Sequence, residues 1–132
     1  AFLPLVKKAA QQNQGQKLSI GKAAIINMTT GVSSLKDSDS GAKLGGYGYR
    51  TSKVALNMAT RLLGAEVKGD GILSCLILPG YIRTEFANNT QINDDRATSV
   101  PEGVSRCISA MRGFGESNVA GLYSYAGKEF PW

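Results

Sequence analysis

Apolar residues fall into two rhythms along this chain. Ala23-Ala24-Ile25-Ile26-Asn27-Met28 and Ile72-Leu73-Ser74-Cys75-Leu76-Ile77-Leu78 are short, nearly continuous apolar runs. Such runs read as strands buried on both faces. Pro79-Gly80 stops the second, and residues 119–125 make a third strand after Asn118 and around Gly121. Between the first two strands, residues 49–68 repeat at helical spacing, with Val54, Met58, Leu62 and Ala65 on one stripe and Leu56 and Leu63 beside it. Gly69-Asp70-Gly71 ends that helix. Pro101 and Glu102 open another through Met111, since proline at the first position and an early acid suit a helix start. The run Phe2-Leu3-Pro4-Leu5-Val6-Lys7-Lys8-Ala9-Ala10 reads as the end of a helix, with its bases in the last turns. Nothing caps it in front, so that helix is expected to begin before Ala1. Residues 11–22 are polar and read as a loop.

Helix, strand, helix, strand, helix, strand implies a parallel sheet with helical crossovers, the doubly wound α/β class. Three strands are few for such a sheet, and the first should present a bare apolar edge. An uncapped helix and an uncovered edge point the same way. Residues 1–132 are therefore expected to form a single partial domain, the second half of a larger Rossmann-type fold. The Gly-, Ser- and Asp-rich connection from the first strand to Gly48 is long for its place, and loops of that length are often functional.

Composition narrows the chemistry. At 132 residues, with 42% hydrophobic and 19% charged, the chain has material for one core. It contains no histidine, which removes Ser-His-Asp and Cys-His catalysis and the common zinc motifs. Acid–base work falls to Tyr, Lys, Cys or carboxylates. The net charge of +5 is scattered, with Lys7-Lys8 the only adjacent basic pair, so it reads as a solvated surface and not a nucleic-acid footprint. Cys75 and Cys107 sit within apolar patterns and are expected to be buried free thiols in a reducing compartment, the cytoplasm. No apolar run approaches the roughly 18 residues needed to cross a bilayer.

The informative segment is Tyr49-Arg50-Thr51-Ser52-Lys53. Tyr and Lys four residues apart share a helix face, which puts an ammonium near a phenol. A free phenol, with a pKa of about 10, is a poor acid at neutral pH. A unit charge about 4 Å away is worth at most about 4 kcal/mol at an effective dielectric of about 20, enough to make a phenol useful in acid–base catalysis. Alone, such a pair is more often a solvated surface contact. Here it opens the helix between two parallel strands, and these strands end in Asn27-Met28-Thr29-Thr30 and Pro79-Gly80-Tyr81-Ile82-Arg83-Thr84. All three segments lie at the carboxyl side of the sheet, where α/β folds place ligands.

Together these segments resemble the short-chain dehydrogenase/reductases. Ala23 to Met28 and Tyr49-Arg50-Thr51-Ser52-Lys53-Val54-Ala55-Leu56-Asn57, with Tyr123-Ser124-Tyr125-Ala126-Gly127 and Pro131-Trp132, are most similar to its sniffer/C-factor group of carbonyl reductases. The likeness spans nearly the whole chain but only the C-terminal half of the family's domain. It implies that Tyr49 is the general acid and that Lys53 tunes it and bonds the nicotinamide ribose. It implies that Pro79 and Gly80 lie against the nicotinamide ring, that Ile82 holds its carboxamide through backbone groups, and that Thr84 stands near the cofactor phosphates. NADP or NAD is the implied cofactor, and a ketone or aldehyde the substrate.

The chain departs from the family in two respects. The family's catalytic serine aligns with Thr30, which keeps the hydroxyl but adds a methyl that restricts χ1; Ser33 and Ser34 are rival donors. The connection to Tyr49 is also longer than the family's, with Lys36-Asp37-Ser38-Asp39-Ser40-Gly41 as the extra residues. The family's glycine-rich cofactor turn, its Asn-Asn-Ala-Gly run and its active-site asparagine are missing, and neither Gly46-Tyr47-Gly48 nor Gly21-Lys22 can stand in for the turn. The expected function is NAD(P)H-dependent carbonyl reduction, with this chain alone inactive. The alternative is a half-domain that binds a protein partner through its open edge or its long helix. A homodimer through helix 49–68 is also expected. Residues 85–99, with Phe86, Asn88, Asn89 and Ile92, are expected to cover the substrate pocket without naming the substrate.

Overall fold

In the computed structural model, residues 1–36, 46–85 and 97–132 are described. The extra residues expected at 37–41 and the pocket-covering Phe86, Asn88, Asn89 and Ile92 lie outside these segments. The described elements are α1 (Leu3–Gln12), β1 (Ala24–Met28), α2 (Tyr47–Val67), β2 (Leu73–Leu78), α3 (Val100–Arg112) and β3 (Leu122–Ser124).

The three strands form one parallel sheet in the order β1-β2-β3, with Met28 opposite Ile77 and Leu78 opposite Ser124. All six residues of β2 are buried, because it is the central strand and helices cover both its faces. Leu73, Cys75 and Ile77 pack with Cys107, Phe114 and Tyr123 on the α3 side. Ile72, Leu76 and Leu78 point the other way, Ile72 packing with Val67 of α2 and Ala10 of α1, and Leu76 and Leu78 with Leu122 and Leu56. The doubly wound α/β class expected from the pattern is the one observed. Two successive parallel connections that step in the same direction but carry their helices on opposite faces must differ in hand. One of the two crossovers is therefore left-handed, which parallel connections adopt in only about 2% of cases.

Several boundaries differ from the sequence pattern. β1 was expected to be buried on both faces, but Ala24 to Asn27 are only partly covered and Met28 is exposed. It is the sheet's edge in the described residues, so a continuous apolar run here marks an uncovered side. α1 runs on to Gln12, which leaves Lys7 and Lys8 in mid-helix and no base in its last turn. The stop comes from Asn13, whose Nδ2 donates to the Ala9 carbonyl at 3.1 Å. β3 is shorter than expected because Ala120 takes φ 59°, a left-handed conformation that breaks the strand before Leu122. Ser99 caps α3 by accepting from the Glu102 N–H at 3.4 Å.

The helix α2 shows the largest difference. The spacing predicts Val54, Met58, Leu62 and Ala65 as its core stripe. Its buried residues are instead Asn57, Thr60, Gly64 and Val67, while Met58 is 57% and Leu62 64% exposed. Polar residues can face inward because strand β1 and the turn after it offer partners for each. Gly64 lets the helix approach the residues before β3, since a Cβ there would lie 3.0 Å from that of Ala120.

Candidate active site

At the carboxyl end of the sheet, β1 exits through Thr29 and Thr30 into a short 3-10 turn, Gly31–Ser33. Thr29 N–H still bonds the Ile77 carbonyl at 2.9 Å, and Ala23 C=O accepts from Leu73 N–H, so odd-numbered residues of this strand turn their backbone groups toward β2. Even-numbered residues turn theirs outward. The outward carbonyl of Met28 is taken by Lys53 Nζ at 3.0 Å. Lys53 stands in the second turn of α2, and its Nζ lies 6.0 Å from the centroid of the Tyr49 ring. Tyr49 is 41% exposed. The first turns of α2 thus bring Tyr49, Lys53 and the end of β1 together, as the i, i+4 spacing predicts.

Thr30 is half-buried with an extended backbone (φ −147°, ψ 152°) at the head of the 3-10 turn. Its rivals are both buried. Ser33 is 2% exposed; its Oγ donates to the Thr30 carbonyl at 2.6 Å and accepts from Asn57 Nδ2 at 2.9 Å. Ser34 is equally buried. A hydroxyl has one proton to give, so Ser33 has none left for a ligand. The signal for this buried network was present in the sequence as Asn57, Thr60 and Gly64 at spacings of three and four, but it is masked by the stronger apolar stripe beside it.

The second group leaves β2. Gly80 takes φ 78°, and a Cβ on it would lie 2.7 Å from Cε1 of Tyr125 at the end of β3. The glycine after Pro79 is thus required both by the backbone and by the ring packed on it. Beyond it, Ile82 forms an isolated parallel bridge with Thr98, in which Thr98 N–H bonds the Tyr81 carbonyl and Arg83 N–H bonds the Thr98 carbonyl, both at 2.9 Å. By the alternation of extended chain, the N–H and C=O of Ile82 itself point to the opposite side, and no backbone partner takes them there among the described residues. The Ile82 side chain is wedged on α3 at Gly103, where a Cβ would come 2.6 Å from Cδ1. Thr84 follows two residues on and is exposed.

Both cysteines are free and buried in the core. Burial pushes the Cys75 thiol up to about 12 and raises that of Cys107 as well. Neither is placed or poised as a nucleophile. No group of metal-binding side chains occurs among the described residues, and none of their helices is long and apolar enough to cross a membrane.

No family model matches the chain. It is 28% identical over 108 residues to the C-signal of Myxococcus xanthus, covering 82% of this chain and 60% of that protein. The carbonyl reductase Sniffer of Drosophila melanogaster is 34% identical with a TM-score of 0.87, over 98% of this chain and 49% of its own. An NADPH-bound carbonyl reductase from chicken fatty liver is 32% identical with a TM-score of 0.85, over 99% and 50% respectively. The resemblance to the C-terminal half of the short-chain dehydrogenase/reductases, and among them to the sniffer-type carbonyl reductases, therefore holds in both sequence and fold. The chain spans about half the length of these solved relatives.

Proposed function

With that likeness as premise, we propose that this chain is the catalytic half of an NADPH- or NADH-dependent reductase of ketones or aldehydes. The observation that carries the reading is the joint placement of Tyr49 and Lys53 at the carboxyl end of β1, with Lys53 anchored 3.0 Å from the Met28 carbonyl. A bound nicotinamide supplies a hydride to the substrate's carbonyl carbon. The residues of this chain do the rest. Tyr49 gives its proton to the oxygen as alkoxide character develops. Thr30 donates its hydroxyl to the same oxygen, and no other described group competes for that proton. Lys53 holds the ribose and keeps its ammonium beside the Tyr49 ring.

The nicotinamide end of such a cofactor suits the groups present. Ile82 turns an N–H and a C=O away from its bridge to Thr98, the donor and acceptor that a carboxamide requires. Pro79 and Gly80 flank them, and Thr84 lies beyond toward the phosphates. The pyrophosphate needs a glycine-rich strand-to-helix turn; Gly46 and Gly48 open the helix that carries Tyr49 and Lys53 and do not serve as that turn in this reading. A preceding half of the domain supplies it in this reading. The NADPH held by the chicken reductase favours NADP over NAD. Two reduced thiols in the core suit a cytoplasmic location.

A second reading, a half-domain that binds a protein partner, has two features in its favour. The outer edge of β1 is unpaired among the described residues, and the outward face of α2 exposes Met58 and Leu62. A groove of about 330 Å³ runs along that face, lined by Leu35, Val54, Met58 and Trp132, with Arg61 over the Trp132 ring at 5.3 Å. In the enzyme reading the same face serves a homodimer. Tyr49→Phe in the complete protein separates the readings. Loss of reductase turnover by about 10² or more with NADPH affinity intact supports the enzyme; a wild-type rate removes it.

A further inference from the structure

We propose that Asn57 is a positioning residue for Thr30, fixing the turn that carries this hydroxyl through a one-way chain of hydrogen bonds. The proposal rests on the reading of Thr30 as the donor to the substrate carbonyl.

Asn57 sits in the middle of α2 and is 3% exposed. An asparagine is a poorer helix former than leucine, and burying its amide costs free energy unless every polar atom is satisfied. Its Oδ1 accepts from Thr29 Oγ1 at 2.7 Å. Its Nδ2 donates to Ser33 Oγ at 2.9 Å, and Ser33 Oγ donates to the Thr30 carbonyl at 2.6 Å. The two hydroxyls also lie 3.2 Å from each other, but each has one proton, and the shorter contacts take both: Thr29 to Asn57 Oδ1 at 2.7 Å and Ser33 to the Thr30 carbonyl at 2.6 Å. The bonds therefore run in one direction, from Thr29 through Asn57 and Ser33 to the carbonyl of Thr30 itself.

The consequence is local and geometric. Thr29 N–H is held in the sheet by Ile77, and the Thr30 carbonyl is held by the Ser33 hydroxyl and by the Ser33 N–H at 3.2 Å. Thr30 is pinned on both sides. Its β-branched side chain has few allowed rotamers on a fixed backbone, so pinning the backbone aims the hydroxyl. Serine at this position would keep more freedom; threonine converts backbone order directly into donor direction.

One turn further along α2 lies a built-in control. Thr60, 1% exposed, accepts from Asn27 Nδ2 at 2.9 Å and donates to the Leu56 carbonyl at 2.8 Å. This pair also ties α2 to β1, but it does not touch the turn.

The test is steady-state reduction of para-nitrobenzaldehyde by NADPH in the complete protein. Asn57→Ser, too short to bridge Thr29 and Ser33, and Ser33→Ala should each lower kcat roughly tenfold or more, as expected for a misaimed reacting group. KM for NADPH should not move. Thr60→Val should lower the melting temperature comparably and leave kcat alone. In a Thr30→Ala background, Asn57→Ser should cost no further rate, because the group it aims is gone. An undiminished kcat in folded Asn57→Ser and Ser33→Ala overturns the proposal, as does a full additional loss in the Thr30→Ala background. Either result leaves Thr30 as the donor. If Thr30→Ala itself has a wild-type kcat, the reading beneath the proposal falls and the proposal with it. Should Asn57→Ser not fold, Ser33→Ala alone and in the Thr30→Ala background decides by the same criteria.

Discussion

Lys53 Nζ donates a 3.0 Å hydrogen bond to the carbonyl of Met28, the last residue of the edge strand β1. This carbonyl points away from the sheet, so the bond links the second turn of α2 to the open side of β1. The contact is exposed, and its loss should cost no more than about 1 kcal/mol of stability. Functionally it holds the ammonium at the edge where the cofactor's ribose is proposed to lie. Lys53→Ala in the complete protein should therefore lower both kcat and NADPH affinity while moving the melting temperature little. Tryptophan or NADPH fluorescence titration reads the affinity; an unchanged dissociation constant removes the ribose role.

Residues 1–132 alone should bind NADPH weakly. The groups proposed to meet the nicotinamide are present, but the turn proposed to hold the pyrophosphate belongs to a preceding half of the domain. Calorimetric titration of the purified chain should give no sub-micromolar site, and such a site would overturn the half-domain reading.

Gly80→Ala should destabilise the fold by about 1–3 kcal/mol, measured as a shift of the urea midpoint. The left-handed backbone at φ 78° accounts for about 1 of these. The rest comes from the Cβ, 2.7 Å from the Tyr125 ring. Adding Tyr125→Ala should remove the steric part of the Gly80→Ala effect and leave the backbone part, giving a double-mutant cycle with clear non-additivity.

Stability should fall as pH rises through the alkaline range. Burial raises the Cys75 thiol from 9.0 to about 12 in the folded chain. The unfolded chain therefore loses this proton first, near its ordinary value, and binds fewer protons than the folded chain between the two. The stabilising contribution is complete below about 9 and is lost progressively up to about 12. Cys107 is raised in the same direction. Urea unfolding across this window should show the decline, and Cys75→Ala should reduce its steepness. At pH 8 neither native thiol should react with iodoacetamide.

Leu62→Arg should leave the melting temperature almost unchanged, since the side chain is 64% exposed on the outward face of α2. If that face joins two copies, sedimentation of the complete protein should shift from dimer to monomer. A wild-type protein that is already monomeric at micromolar concentration excludes the dimer.

The sequence by itself determined the elements, the fold class and the pairing of Tyr49 with Lys53 on which the proposed chemistry rests. Apolar runs of five to seven residues bounded by turn residues are too short for helices and read as strands, alternation with helices makes them parallel, and Tyr49 and Lys53 share a face whatever surrounds them. These are local consequences of backbone period and residue type. Only the tertiary structure decided which side of each element is inside. Sequence spacing favours Met58 and Leu62 as core because it counts apolar atoms, whereas the fold buries Asn57 and Thr60, whose amide and hydroxyl find partners on Thr29, Ser33 and Asn27. Those partners lie some thirty residues away along the chain (|i−j| 24 to 33), so no local pattern announces them. The same holds for Ser33. In sequence it is a rival to Thr30; in the fold its single proton is spent on the Thr30 carbonyl, which makes it a support for the residue it might have replaced.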